Sequence, residues 1–243
     1  MLLTTACGGG NDASGGDVTI ATVQPGDGGT QATPPPGSKQ PATNGTPQLS
    51  GFAYPIAGGC LPKGDQLMPN ANRAYRNGIH EGVDFYAVDN CNTNIGKDTP
   101  VVATKAGRVV RADTDYTDLT PAGLNQVNAD PTSAQSLDTF RGRQVWIDHG
   151  NGVVSRYAHL NRIADGIRSG VQVTSGQLIA YVGESGTPES VSNPGHEYHL
   201  NWELRIGAGC AAATASQVSN CSFLGQGLPA AEVRRLYTTL FSP

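Results

Sequence analysis

The sequence predicts a mostly β domain of short antiparallel strands, packed as one sheet or sandwich, with a short insertion helix and a C-terminal helix. Three observations carry this. Gly (32 of 243 residues) and Pro punctuate the chain at short intervals, which suits strands and turns better than long helices. Between those breaks lie short β-branched and aromatic runs such as Gln144-Val145-Trp146-Ile147-Asp148. The stretch Tyr198–Ile206 alternates polar and apolar residues with the period of a strand.

Met1-Leu2-Leu3-Thr4-Thr5-Ala6-Cys7 resembles the stub of a lipoprotein export signal, a small residue standing before Cys. It lacks the charged start and apolar run of a full signal. Residues 1–7 are read as a truncated signal, with Cys7 as the lipidation site and membrane anchor. Residues 8–50 contain no Phe, Trp or Tyr and are rich in Gly, Pro, Thr and Ser. Such a segment buries too little apolar surface to offset its ordering entropy, so a disordered tether is expected. As a flexible coil it spans roughly 35 Å, and well over about 100 Å if pulled straight.

The ordered domain is expected over residues 51–225. Pro100–Ala103 and Gly107–Arg111 read as two short strands around a turn. Residues 114–141, polar and broken by Pro121 and Pro131, read as an insertion with one short helix, and the sequence leaves open whether it walls a groove or blocks it. Residues 144–148 and 153–157 flank His149-Gly150-Asn151-Gly152, a strong hairpin signal. Leu178–Val182 is another strand, stopped by Gly183. On Tyr198–Ile206, Leu200, Trp202, Leu204 and Ile206 share one face and His199, Asn201, Glu203 and Arg205 the other. Residues 226–243 hold the C-terminal helix, with Pro229 in its first turn. No internal repeat and no transmembrane run is present.

A net charge of −4 and only 15% charged residues favour neither nucleic acid nor an anionic membrane as partner. After an export signal, the even set Cys60, Cys91, Cys210 and Cys221 suggests disulfides in an oxidising compartment. Sequence order favours Cys60–Cys91 and Cys210–Cys221 among three possible pairings. Zinc ligation by cysteine is the weaker rival, because no Cys-x-x-Cys pair exists.

Chemistry-bearing residues recur in three places. Gly78-Ile79-His80-Glu81-Gly82-Val83-Asp84 offers His and Asp at i and i+4, with glycines that permit close backbone approach. Arg156-Tyr157-Ala158-His159-Leu160 offers a second His, and Tyr198-His199-Leu200-Asn201-Trp202-Glu203 a third. In this order the motifs resemble the LytM/lysostaphin-like zinc metallopeptidases, which cut peptide cross-links in bacterial cell walls. Asp98-Thr99-Pro100-Val101 with Gly107-Arg108-Val109, and Gly183-Glu184-Ser185-Gly186-Thr187, extend the likeness over about residues 52–207.

The resemblance implies that His80 and Asp84 are ligands of one Zn2+. It implies that His159 and His199 are the non-ligand catalytic histidines around a zinc-activated water and the developing oxyanion. The family's last motif is His-x-His, and its second His binds the metal; here that position is Asn201. An amide oxygen is a weaker zinc donor than imidazole. Asn201 thus ligates poorly, acts through water, or leaves the site empty. Glu203 is either an orienting partner of a histidine or a surface carboxylate. His149 is read as structural or exposed, Tyr157 as core, and His196 as a poor substitute ligand that points away on a continuous strand. Two functions follow: an extracytoplasmic, monomeric zinc endopeptidase acting on peptidoglycan, or a non-catalytic relative that binds wall or activates other wall hydrolases.

Overall fold

The computed structural model describes residues 49–212 and 217–243; Cys7, the signal-like start and the tether through residue 48 lie outside the described residues. The strands are β1 (Asn72–Arg73), β2 (Gly78–Ile79), β3 (Val83–Phe85), β4 (Pro100–Val102), β5 (Gly107–Ala112), β6 (Val145–Asp148), β7 (Val153–Ala158), β8 (Leu160–Ile163), β9 (Gln172–Val173), β10 (Leu178–Val182), β11 (Leu200–Ile206) and β12 (Ser222–Phe223). The helices are α1 (Pro121–Ala129), α2 (Ala134–Arg141), α3 (Glu189–Ser192) and α4 (Ala230–Leu240). The architecture is mostly β, and every strand pairing is antiparallel.

The largest sheet runs β12-β11-β7-β6-β5-β9, with β3 also paired to β11. A three-stranded sheet runs β4-β10-β8, and β1 pairs β2. Strand β11 is central. One edge meets β7 over residues 201–206, so the other edge must carry β3 at residues 200–202 and β12 at 205–206. Both faces of β11 are covered, and the faces divide as the alternation predicts. Leu200, Trp202 and Leu204 sit in the main apolar core with Val83, Phe85 and Tyr157. Asn201, Glu203 and Arg205 are buried among polar groups on the other side.

One expectation fails. The segments 100–103 and 107–111 do not form a hairpin; β4 pairs β10 and β5 pairs β6 and β9. Val101 and Val109 are both fully buried, and burial in two different sheets outcompetes local pairing. The chain changes sheet at Thr104, whose N–H donates to the buried Tyr157 Oη at 2.8 Å. Tyr157 is thus a core residue with a satisfied hydroxyl.

The hairpin over 148–153 forms as expected, with Gly150, Asn151 and Gly152 all at positive φ. His149 lies there in a structural role: its Nδ1 contacts Ala106 O at 2.9 Å and its Nε2 contacts Ser155 Oγ at 2.8 Å.

The insertion holds two helices where one was expected. Thr120 accepts from Gly123 N and Ser133 from Ser136 N, so each helix has its own cap, and Pro121 stands at the first position of α1. Pro131 separates them. Pro229 is the N-cap of α4 rather than a first-turn residue. Val233, Leu236, Tyr237 and Leu240 of α4 recur at helical spacing and enter the main core. Phe52 N–H donates to Leu240 O at 3.0 Å, which ties the start of the described chain to its end. The disulfides are Cys60–Cys91 and Cys210–Cys221.

Candidate functional site

Strand register builds the centre of the site. Asn201 lies directly opposite Asp84 where β11 pairs β3. Gly82 makes this approach possible: a Cβ there would meet Trp202 O at 2.5 Å. His80 is fixed just before β3 by its own backbone, N–H to Ala71 O at 2.7 Å.

Three donor atoms therefore converge. His80 Nε2 and Asp84 Oδ1 are 3.0 Å apart. Asn201 Nδ2 lies 2.6 Å from the first and 2.8 Å from the second. His80 Nδ1 contacts Met68 O at 3.2 Å, which assigns the ring proton to Nδ1 and leaves a lone pair on Nε2. The Asn201 amide then donates one N–H to His80 and the other to Asp84. The other Asp84 oxygen takes an N–H from Arg73 at 2.8 Å. Burial alone would raise the Asp84 carboxyl, but His80 and His199 in their protonated forms, together with Arg73, hold it far below the ordinary carboxylate range.

His159 and His199 join from two other segments, with ring centroids 4.6 Å apart. His159 sits at φ +60°, a left-handed conformation that a non-glycine residue seldom adopts. Its Nδ1 contacts Ser185 O at 2.9 Å. Burial, then repulsion from His199, pushes its pKa down to about 3, so it is a neutral base at pH 7. His199 Nδ1 contacts Glu197 O at 2.6 Å, and its ring stacks on Tyr86 at 4.3 Å. Both rings thereby keep Nε2 as an acceptor.

These residues line a cleft of about 590 Å³. Phe140 and Arg141, at the end of α2, form part of its lining, so the insertion walls the cleft and leaves it open. Tyr75, 56% exposed, meets Phe140 edge to face at the lip. His196 is exposed and is not part of the lining.

Glu203 is in the cleft wall, but its carboxylate is neither a histidine's partner nor a surface group. It accepts from Arg141 Nε at 2.7 Å and Arg205 Nε at 2.8 Å. Glu81 pairs with the same two arginines. Burial raises both carboxyls and the arginines more than reverse it, so both lie below the glutamate range. Sequence reasoning missed Arg73, Tyr86, Glu81 and Arg141. Glu81, inside the His80–Asp84 motif, was the one with a visible signal. Arg73 lies on a two-residue strand and had none.

The profile of Peptidase family M23 matches residues 78–213, and the chain belongs to that family. Among solved structures, a zinc-containing peptidase from Vibrio cholerae is 23% identical over 64% of this chain and 37% of its own, with a TM-score of 0.39. The match thus spans little more than a third of that protein. A mutant catalytic domain of the prophage-encoded M23 protein EnpA from Enterococcus faecalis is 19% identical over 69% of this chain and 92% of its own, TM-score 0.40. The catalytic domain of lysostaphin from Staphylococcus simulans is 19% identical over 73% and 90%, TM-score 0.36. No curated protein matches.

The family implies a zinc ion, and the donor set can be tested against it. A catalytic zinc site takes three protein ligands that present lone pairs. Here only His80 and Asp84 are strong donors, and the third group presents N–H to both of them. Among the described residues no three His, Cys, Asp or Glu side chains come together as a ligand set. As arranged, these residues fit a pair of protons, not a cation.

Proposed function

We propose that this chain is an M23 domain that binds peptidoglycan peptides without cleaving them. The observation that supports it is the Asn201 amide. Its two N–H groups satisfy the lone pairs of His80 and Asp84 that a hydrolytic zinc would need. The bond to the Asp84 carboxylate is charge-assisted and contributes about 1.5–3 kcal/mol, and the bond to neutral His80 about 0.5–1.5 kcal/mol, so a metal must displace both first. What remains is a peptide-sized cleft with two histidine acceptors, a buried carboxylate and an aromatic lip. The two disulfides support a place outside the cytoplasm, in the cell envelope. Anchoring through a lipid on Cys7 belongs to the same proposal.

One observation favours the second reading, a zinc endopeptidase. Asn201 Oδ1 is buried and has no partner among the described residues. Turned over, the amide would put that oxygen beside His80 Nε2 and Asp84 Oδ1 as a third, neutral ligand.

The test measures zinc content, wall binding and wall digestion on the full chain. Binding to insoluble peptidoglycan with no stoichiometric zinc and no released peptide is the expected result. One tightly held zinc per chain with peptide release would replace the first reading by the second.

A further inference from the structure

Behind the histidines, the wall of the cleft carries more buried positive charge than it can neutralise. Arg76, Arg141, Arg156 and Arg205 are all over nine-tenths buried, as is Glu203; Glu81 is partly buried. Glu81 and Glu203 are the carboxylates that serve them. Arg141 and Arg205 each pair with both, and Arg156 reaches Glu203 at 3.9 Å while stacking on Trp146. Four arginines against two glutamates leave a formal excess of two positive charges. Asp84 and Asp138 are taken by Arg73 and Arg111.

Arg76 is the member left out. Among the described residues, no carboxylate lies within ion-pairing distance of it. Its Nη2 donates to Ile79 O at 2.7 Å, and its Nε is buried with no partner. Among the described residues its remaining nitrogen, Nη1, makes no hydrogen bond, and the residue lines the cleft beside Tyr75 and Arg141. Glu189 lines the same cleft, but no ion pair joins it to Arg76. An uncompensated buried charge is costly, and it is relieved by a paired ion of opposite sign. A guanidinium with unpaired N–H groups is the usual partner of a carboxylate.

We propose that Arg76 is a specificity residue that binds the terminal carboxylate of the peptide in the cleft. The proposal rests on the peptide-binding reading and narrows it: the ligand is a peptide end, not an internal stretch of an intact cross-link.

The test compares two soluble stem-type tetrapeptides, L-alanyl-γ-D-glutamyl-L-lysyl-D-alanine and its C-terminal amide, both with the D-glutamyl carboxyl amidated. They are titrated against the full wild-type chain and its Arg76→Gln and Arg76→Lys variants. Wild type should bind the free acid about tenfold or more tightly than the amide, as one charge-assisted contact implies. Arg76→Gln should bind both forms equally, and Arg76→Lys should retain part of the preference. Equal binding of acid and amide by wild type overturns the carboxylate site and leaves the peptide reading standing. Binding of neither form overturns both. A preference that survives in Arg76→Gln assigns it elsewhere and also overturns the proposal. So does inorganic phosphate that raises the melting temperature as much as the acid peptide at equal concentration, because the cluster would then be a general anion sink. If Arg76→Gln does not melt cooperatively, the wild-type comparison and Arg76→Lys decide.

Discussion

Asn201→Asp converts the proposed proton bridge into a like-charge clash. The nitrogen that now donates to Asp84 Oδ1 from 2.8 Å becomes a carboxylate oxygen at that distance. With an effective dielectric constant near 20, two unit charges so placed repel by about 6 kcal/mol. The pair avoids this by holding one proton, which limits the cost. Raising one carboxyl from about 4 to above 7 costs about 1.4 kcal/mol per unit, or about 4 kcal/mol at pH 7. Arg73, bonded to the other Asp84 oxygen, offsets part, so about 3 kcal/mol should remain. The sign with pH is fixed. The shared proton gives the folded pair a pKa above its unfolded value, so the loss is full above that folded pKa. It fades as pH falls towards about 4, where the unfolded chain is protonated too. Urea unfolding in chelator at pH 7 and pH 4.5 reads it directly. Zinc should then stabilise the variant more than wild type, by about 2.7 kcal/mol at a hundredfold excess over the dissociation constant. A variant within about 0.5 kcal/mol of wild type at pH 7 would show that the residue 201 side chain is not wedged between two acceptors, and the non-catalytic reading would lose its support.

Three further outcomes are expected. Asn201→His should give a chain that retains close to one zinc after dialysis where wild type does not; a variant still without zinc would place the obstruction elsewhere in the cleft. Glu203→Gln should cost about 3 kcal/mol in urea unfolding at pH 7, because it leaves Arg141 and Arg205 short of a carboxylate in a buried cluster; since Glu81 and Glu203 both lie below the ordinary glutamate value, the stability they contribute is present above about pH 4.3 and lost as pH falls below it, and the variant should lose less on acidification. Reducing Cys60–Cys91, which closes the longer loop at a sequence separation of 31, should lower stability by about 2–4 kcal/mol, and more than reducing Cys210–Cys221, with its separation of 11; equal losses would contradict the loop-entropy account.

The strands were legible because their residues have no other use. Val145, Trp146 and Ile147 sit between turn residues and are fully buried, and a five-residue run of that kind has few alternatives. The pairing of β4 and β5 was not legible, because Val101 and Val109 look alike in sequence and burial in separate sheets is a long-range choice. At the site, the period of two along β11 put Asn201 and Glu203 on the polar face, and that much a strand dictates by itself. It could not say what they would face. Asn201 meets Asp84 because β3 pairs β11 in one particular register, and Gly82 is the residue that lets the strands come that close. Glu203, two residues along the same face, meets Arg141 instead of a histidine because an insertion 62 residues away in sequence folds back as α2 and caps that end of the strand. Neighbouring positions on one strand face therefore have different physics. One holds a polar bridge between two would-be ligands, the other a buried ion cluster with charge to spare. The two share a single wall of the cleft, which Asn201, Glu203 and Arg141 all line, but the bonds of Asn201 go to His80 and Asp84 and not to the arginine cluster. Thus a change that restores a metal at residue 201 leaves the anion-seeking side of the wall intact, and loss of Arg76 leaves the amide bridge intact. Zinc content and carboxylate preference should vary independently across these variants.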